Sequence, residues 1–255
     1  MTPAKPARGA SILRKVQMCG TIALHALMSH RMIYRRYIRR KPVIGSIPHE
    51  IWLNDRYWER RLGTNTGGWV PVTLDDGMLY EATPYLILNE ILRELDLGKS
   101  DVFVDLGCGK GRVLCMASGT DVGRVIGVEQ NPDFLDVARN NLDAMPDKHT
   151  NVELFRGLAQ DFDFKNVTVL FLFNPFGAKT LQQVLSLIKA DLKETPRPFR
   201  IVYANPVHEA VLQQTPWLTN STTWPSAAFP EFEIQPANPR MVSFWESTEQ
   251  GVCSG

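Results

Sequence analysis

The segment Asp105-Leu-Gly-Cys-Gly-Lys-Gly111 brings together residue types suited to a ligand-binding turn. Gly107, Gly109 and Gly111 let the backbone turn sharply and come close to a ligand. Asp105 stands just before them, at the end of an apolar run, and a carboxylate there repels a diphosphate but attracts a cation. The glycines follow G-x-G-x-G rather than the G-x-G-x-x-G of loops that hold a dinucleotide pyrophosphate. A second acid, Glu129, ends the next apolar run, where its two oxygens can accept a pair of hydroxyls. A helix starting near Gly111 would turn its free N–H groups toward an anionic group such as a carboxylate. Together these residues suit a ligand that carries positive charge, a carboxylate and sugar hydroxyls.

The elements that must hold these residues show as alternating patterns. Residues 102–106, 124–129, 152–155, 167–173 and 199–204 are short β-rich apolar runs. Strands apolar almost throughout suit a parallel sheet covered on both faces. Between them, Leu181, Val184, Leu185, Ile188 and Leu192 form one apolar stripe at helical spacing, and Leu135, Ala138 and Leu142 form another. Asn131-Pro132-Asp133 reads as cap, first helical residue and dipole complement of that second helix. Leu88, Ile91, Leu92 and Leu95 mark a helix before the first strand, ending near Gly98. The expected fold is α/β: a doubly wound, mostly parallel seven-stranded sheet with helices on both faces, preceded by a basic helical N-terminal arm. Residues 232–234 and 241–245 read as two late strands in an antiparallel hairpin. The expected division is an arm over 1–45, a lead-in with the first core helix over 46–100, a core over 101–247 and a flexible tail over 248–255. In such sheets ligands bind beyond the carboxyl ends of the strands, which is where the glycine turn falls.

At these residues the chain resembles the class I, Rossmann-like methyltransferase superfamily, over roughly residues 80–245. The resemblance implies S-adenosylmethionine as cofactor, whose ammonium and sulfonium suit the acid at 105. It implies that Asp105, Gly107, Cys108 and Gly109 surround the methionine part, and that Glu129, followed by Gln130, holds the ribose. Tyr80 and Thr83 stand where many relatives touch the cofactor carboxylate, although Thr83 before Pro84 also reads as a helix N-cap. One departure concerns adenine. Leu158 occupies the place where the family often has an acid, so adenine is left to the backbone of Leu158 and Ala159 or the side chains of Gln160 or Asp161.

Asn174-Pro-Phe-Gly177 follows the fourth run and shares a rim with the glycine turn, because parallel strands share their carboxyl ends. It resembles the N/D-P-P-Y/F motif of methyltransferases acting on amino groups, with Phe176 in place of the second proline. The resemblance makes Asn174, Pro175 and Phe176 the catalytic candidates, with Asn174 also reaching the cofactor. An amide oxygen and a backbone carbonyl accept hydrogen bonds from a target nitrogen, and an aromatic ring stabilises its developing charge by ~0.5–2 kcal/mol. Placement contributes much of the rate of such an in-line transfer. Asn205-Pro206 ends the fifth run as a further Asn-Pro pair, read as a turn or as part of the acceptor wall. A looser resemblance is to small protein-lysine N-methyltransferases, which have a basic, apolar segment before a compact core; their strand-four segment differs from Asn-Pro-Phe-Gly. The methyl acceptor is left between a protein lysine and a small molecule.

The formal net charge of +1 gives no reason to expect specific nucleic-acid binding. Its distribution is uneven: residues 1–49 hold ten Lys or Arg and no acid, against eighteen basic and twenty-seven acidic residues in the remainder. Arg31-Met-Ile-Tyr-Arg-Arg-Tyr-Ile-Arg-Arg-Lys41 interleaves cations with apolar residues. Three readings of this arm stay open: contact with an anionic membrane surface, packing on the core or a partner, and an organellar targeting segment. The expected location is cytoplasmic, with membrane association or a mitochondrial address as alternatives. Cys19, Cys108, Cys115 and Cys253 include no C-x-x-C pair, so neither a metal site nor a disulfide framework is expected. Two other functions compete with methyl transfer: a nucleotide-dependent oxidoreductase on a similar sheet, and a non-catalytic cofactor-binding scaffold.

Overall fold

The computed structural model describes residues 47–67, 80–146, 148–224 and 242–248, with side chains from residue 53 onward. The basic arm and the tail from 249 therefore lie outside the described residues, as do residues 232–234 and Met241. Two compact units divide the chain, Met1–Tyr57 and Trp58–Gly255. In the first, the described residues 47–57 belong to helix α1 (Ile47–Leu62). No helix among the described residues is long and apolar enough to cross a membrane.

The second unit alternates helix and strand: α2 (Tyr85–Leu95), β1 (Val102–Leu106), α3 (Arg112–Ser118), β2 (Arg124–Glu129), α4 (Pro132–Ala144), β3 (Val152–Arg156), β4 (Val169–Leu172), α5 (Ala178–Glu194), β5 (Arg200–Ala204), α6 (Glu209–Gln213), β6 (Leu218–Trp224) and β7 (Val242–Ser247). The seven strands form one sheet in the order β3-β2-β1-β4-β5-β7-β6. The first five are parallel, and β7 runs antiparallel between β5 and β6.

Period-two alternation gives each face its own core. Phe103, Phe171, Val202 and Phe244 point to the side covered by α2, α3 and α4. Val104, Leu106, Leu170, Leu172 and Ile201 point to the side where the α5 stripe Leu181, Val184, Leu185, Ile188 and Leu192 is buried. At α4, Asn131 caps as its sequence predicts, its side-chain oxygen accepting the N–H groups of Asp133 and Phe134 with Pro132 in the first turn.

The structure corrects three expectations. The partner of the last strand is β6, a stretch the sequence does not mark as a strand. Its interior, Thr219 to Thr223, is polar because it is an edge strand, with buried apolar residues only at Leu218 and Trp224. The fourth strand is shorter than 167–173: Val167 N–H turns back to the Phe164 carbonyl, so the ladder begins later. Thr83 is not a cap, since α2 starts after Pro84 with no side-chain cap bond.

The order places a topological switch at the carboxyl ends of β1 and β4, because the chain leaves β1 for β2 on one side and reaches β4 later on the other. Leu106 pairs with Leu172, so the glycine turn and the Asn174 turn leave the sheet side by side.

Candidate cofactor and acceptor site

The turn after β1 is left-handed at three glycines, Gly107 (φ 75), Gly109 (φ 53) and Gly111 (φ 82). The N–H groups of Gly107 and Cys108 donate to the Val128 carbonyl at 2.8 and 3.0 Å, which pins the turn to β2. At Gly109 the bare Cα is packed by Tyr80: a Cβ there would lie 2.4 Å from the ring. Gly109→Ala should therefore displace Tyr80 as well as strain a positive φ, destabilising the fold by about 1–3 kcal/mol. Urea melts check this, with cofactor affinity expected to fall alongside.

Asp105 is buried, and burial, with the Glu129 carboxylate second, pushes its pKa well above the usual carboxylate range. No described cation offsets either effect. Glu129 is also raised by burial, but hydrogen bonds partly counter it: its oxygens accept the N–H of Gly109 at 3.0 Å and of Asn131 at 2.9 Å. The Gln130 N–H donates to the same carboxylate, and its two oxygens, with about four lone-pair sites, keep capacity to accept more. Cys108 sits beside both acids; burial first, then their charges, pushes its thiol up, so it stays protonated and unreactive.

Behind the turn lies a polar network that the sequence does not announce. Arg112 is buried; it donates to Thr66 Oγ1 at 2.7 Å and to the Thr83 carbonyl at 3.1 Å, pairs with Glu59 at 3.4 Å, and stands 4.3 Å from the centre of the Tyr85 ring. Tyr80 donates to the Thr66 carbonyl at 2.6 Å, and Lys110 reaches the Gly67 carbonyl at 2.9 Å. These bonds tie residues 64–67 to the site. The Thr83 hydroxyl, by contrast, is buried without a hydrogen-bond partner.

Beside the glycine turn, Asn174 follows the end of β4, and Asn205 follows the end of the adjacent β5; both are left-handed, at φ 49 and φ 50. Non-glycine residues in that region carry strain of about 1–3 kcal/mol and concentrate at functional sites. Pro175 packs against the turn, since a Cβ at Gly107 would meet Pro175 Cβ at 2.6 Å. Asn174 Oδ1 accepts a hydrogen bond from the Tyr203 hydroxyl at 3.2 Å. Burial pushes that phenol up to about 12, so it keeps its proton at neutral pH.

A cavity of about 400 Å³ joins these parts. Its lining includes Tyr80, Thr83, Asp105, Gly107, Cys108, Gly109, Glu129, Gln130, Leu158, Ala159, Asn174, Pro175 and Phe176, but not Gly111 or Asn205. Gln160 lines it as well, whereas Asp161 does not. Glu81, Arg112, Phe134, Phe173 and Thr180 also line it without having been anticipated. Of these, only Phe134 carried a local hint, as an aromatic residue opening the helix just past Glu129. Leu158 is 41% exposed, an apolar surface on the Glu129 side of the cavity. Among the described residues no His, Cys, Asp and Glu cluster could hold a metal ion.

Residues 103–195 match the family described as a methyltransferase domain. This stretch is similar to a methyltransferase domain. Over 122 residues the chain is 30% identical to the Dictyostelium discoideum histone-lysine N-methyltransferase, H3 lysine-79 specific, which covers 43% of this chain and 7% of that protein. The chain thus spans a small fraction of that relative's length. A Salinibacter ruber RNA methyltransferase solved with S-adenosyl-L-homocysteine shares 24% identity with a TM-score of 0.48, over 66% of this chain and 95% of that one. Precorrin-6y C5,15-methyltransferase from Geobacter metallireducens shares 18% identity with a TM-score of 0.49, over 66% and 90%.

The residues present would fit S-adenosylmethionine, the cofactor that the resemblance implies. Two buried carboxylates lack a described cation, a buried hydroxyl lacks a partner, and the volume lies within the 300–1,000 Å³ typical of small-molecule sites.

Proposed function

We propose that this protein transfers a methyl group from S-adenosylmethionine to an amino nitrogen, of a protein lysine or of a small molecule. The observation that carries the reading is that one cavity is lined both by Asp105 and Glu129, without a described cation, and by the Asn174-Pro175-Phe176 turn. S-adenosylmethionine supplies an electrophilic methyl carbon on a positively charged sulfur. In this reading the chain's own residues bind, orient and exclude water. Asp105 attracts the positive methionine end, and Thr83 Oγ1 gains a partner there. Glu129, held by the Gly109 and Asn131 N–H groups, offers its remaining lone pairs to the ribose hydroxyls. Leu158, Ala159 and Gln160 flank the base. Asn174 accepts a hydrogen bond from the target nitrogen and directs its lone pair toward the methyl carbon, with Phe176 beside the developing charge.

Charge supports an amine over a phosphate-bearing acceptor. The cavity wall carries Asp105, Glu129 and Glu81, while its described cation, Arg112, is engaged by Thr66, Thr83 and Glu59. A phosphate would meet a negative wall.

Calorimetry with S-adenosylmethionine, S-adenosylhomocysteine and NADH tests cofactor choice, and binding of NADH alone would reject the proposal. Tritiated S-adenosylmethionine in a fractionated lysate then tests the acceptor. Label entering protein or small amines supports the reading, whereas label entering only RNA overturns the amine assignment. Tight binding without transfer to any fraction would favour a scaffold.

The raised acids set a pH dependence. Their neutral forms prevail in the empty site at low pH, and only the ionised forms attract the positive ligand. Affinity for S-adenosylmethionine should therefore rise as the pH climbs above the ordinary carboxylate range, and binding should release protons there. Calorimetry in buffers of different ionisation enthalpy measures the release directly.

A further inference from the structure

Against Asn174, which lines the cavity, stands a buried hydroxyl with no part in the transfer described above. Tyr203, at the end of β5, is almost wholly buried. Its oxygen lies 3.2 Å from Asn174 Oδ1 and accepts the backbone N–H of His208 at 3.4 Å. A phenol has one proton to donate. With His208 donating to it, that proton goes to Asn174, and the amide must turn its oxygen, not its NH2 group, toward Tyr203. The main chain adds a second constraint, because Asn174 is left-handed and is followed by Pro175, which is packed on Gly107.

We propose that Tyr203 is a positioning residue for methyl transfer, its hydroxyl fixing the Asn174 amide in the one orientation that offers an oxygen lone pair to an acceptor nitrogen still bearing hydrogen. The proposal rests on reading Asn174 as the acceptor-facing group. Without the hydroxyl, the amide gains its flipped orientation, in which NH2 faces the acceptor. Two N–H donors then oppose each other, and the target lone pair is no longer aimed. The chemistry selected is that of an amine with at least one N–H, since a fully substituted nitrogen has nothing to donate to Oδ1.

Two measurements test this. In protein labelled with 15N-asparagine, the side-chain amide of Asn174 is identified by its loss in Asn174→Ala. In Tyr203→Phe its two proton resonances should move together and broaden; unchanged resonances overturn the proposal. In transfer from tritiated S-adenosylmethionine to dialysed cell extract, Tyr203→Phe should lower kcat about tenfold, the scale of one lost hydrogen bond, with KM for the cofactor unchanged. Adding Tyr203→Phe to Asn174→Ala should cause no further loss, because the hydroxyl acts through the amide. Additive losses, or full activity in Tyr203→Phe while Asn174→Ala is impaired, reject the role of Tyr203 alone. Full activity in Asn174→Ala rejects the acceptor reading itself, and the proposal with it.

Discussion

Asp105→Asn is expected to weaken S-adenosylmethionine binding by at least about 100-fold and to make the ligand-free protein more stable. The two effects have one cause. Asp105 is a buried carboxylate whose neighbour is another carboxylate, so the empty fold carries an uncompensated negative charge or must take up a proton. Removing one partner of a buried ion pair commonly costs about 3–5 kcal/mol, which corresponds to a hundredfold or more in affinity. Without ligand there is no partner to lose, and the neutral isostere removes the penalty. A gain of about 1 kcal/mol at neutral pH is expected, part of it offset by burying an amide.

The sign with pH follows from linkage. The folded pKa of Asp105 lies above its unfolded value, so the destabilisation is absent below the unfolded pKa of about 4 and complete above the folded one. The stability advantage of Asp105→Asn should thus grow as pH rises and vanish near pH 4. Urea titrations across that range, paired with calorimetry at neutral pH, measure both halves. A variant that binds normally, or that is less stable at neutral pH, would show that position 105 does not face the cofactor.

Asn174→Ala is expected to reduce methyl transfer about 100-fold or more while changing cofactor affinity by less than about threefold. Misaiming a reacting group by an ångström, or deleting one group that acts only in the transition state, typically costs this much in rate. In the proposed reading Asp105 attracts the cofactor's positive end and Glu129 holds its ribose, and the substitution leaves both acids in place. The side chain also relieves strain: Asn tolerates φ 49 better than Ala does, so a stability loss of about 1 kcal/mol should accompany the change. Initial rates with labelled cofactor, set beside calorimetry on the same preparation, separate the two effects. Loss of binding together with rate would place Asn174 in the cofactor subsite instead.

Much of this site is legible along the chain because its parts are local. Asp105 and the three glycines lie within seven residues, and Glu129 and Asn174 each sit at the end of an apolar run that reads as a strand. Parallel strands share their carboxyl ends, so strand assignment alone brings those acids and that amide to one rim. The Asn131-Pro132-Asp133 start and the Leu181 to Leu192 stripe are likewise local patterns, and the structure reproduces them. The polar edge strand β6 escaped the same reading, because an edge strand with few buried positions lacks the alternation that marks one.

What the amino-acid order determined by itself is the five parallel strands, the shared rim at their carboxyl ends and the charge of the turn, since each depends on residue types at short spacing, whereas the strand order and its switch point came from the folded sheet. What only the tertiary structure decided is who holds whom across long separations. Arg112 meets Thr66, 46 residues away, and Tyr203 meets Asn174, 29 residues away. Neither pair follows a periodicity, because each contact is made by side chains on different elements whose approach depends on how the helices and strands pack. For the same reason the absence of a described cation beside Asp105 and the partnerless hydroxyl of Thr83 are visible only once the chain is folded.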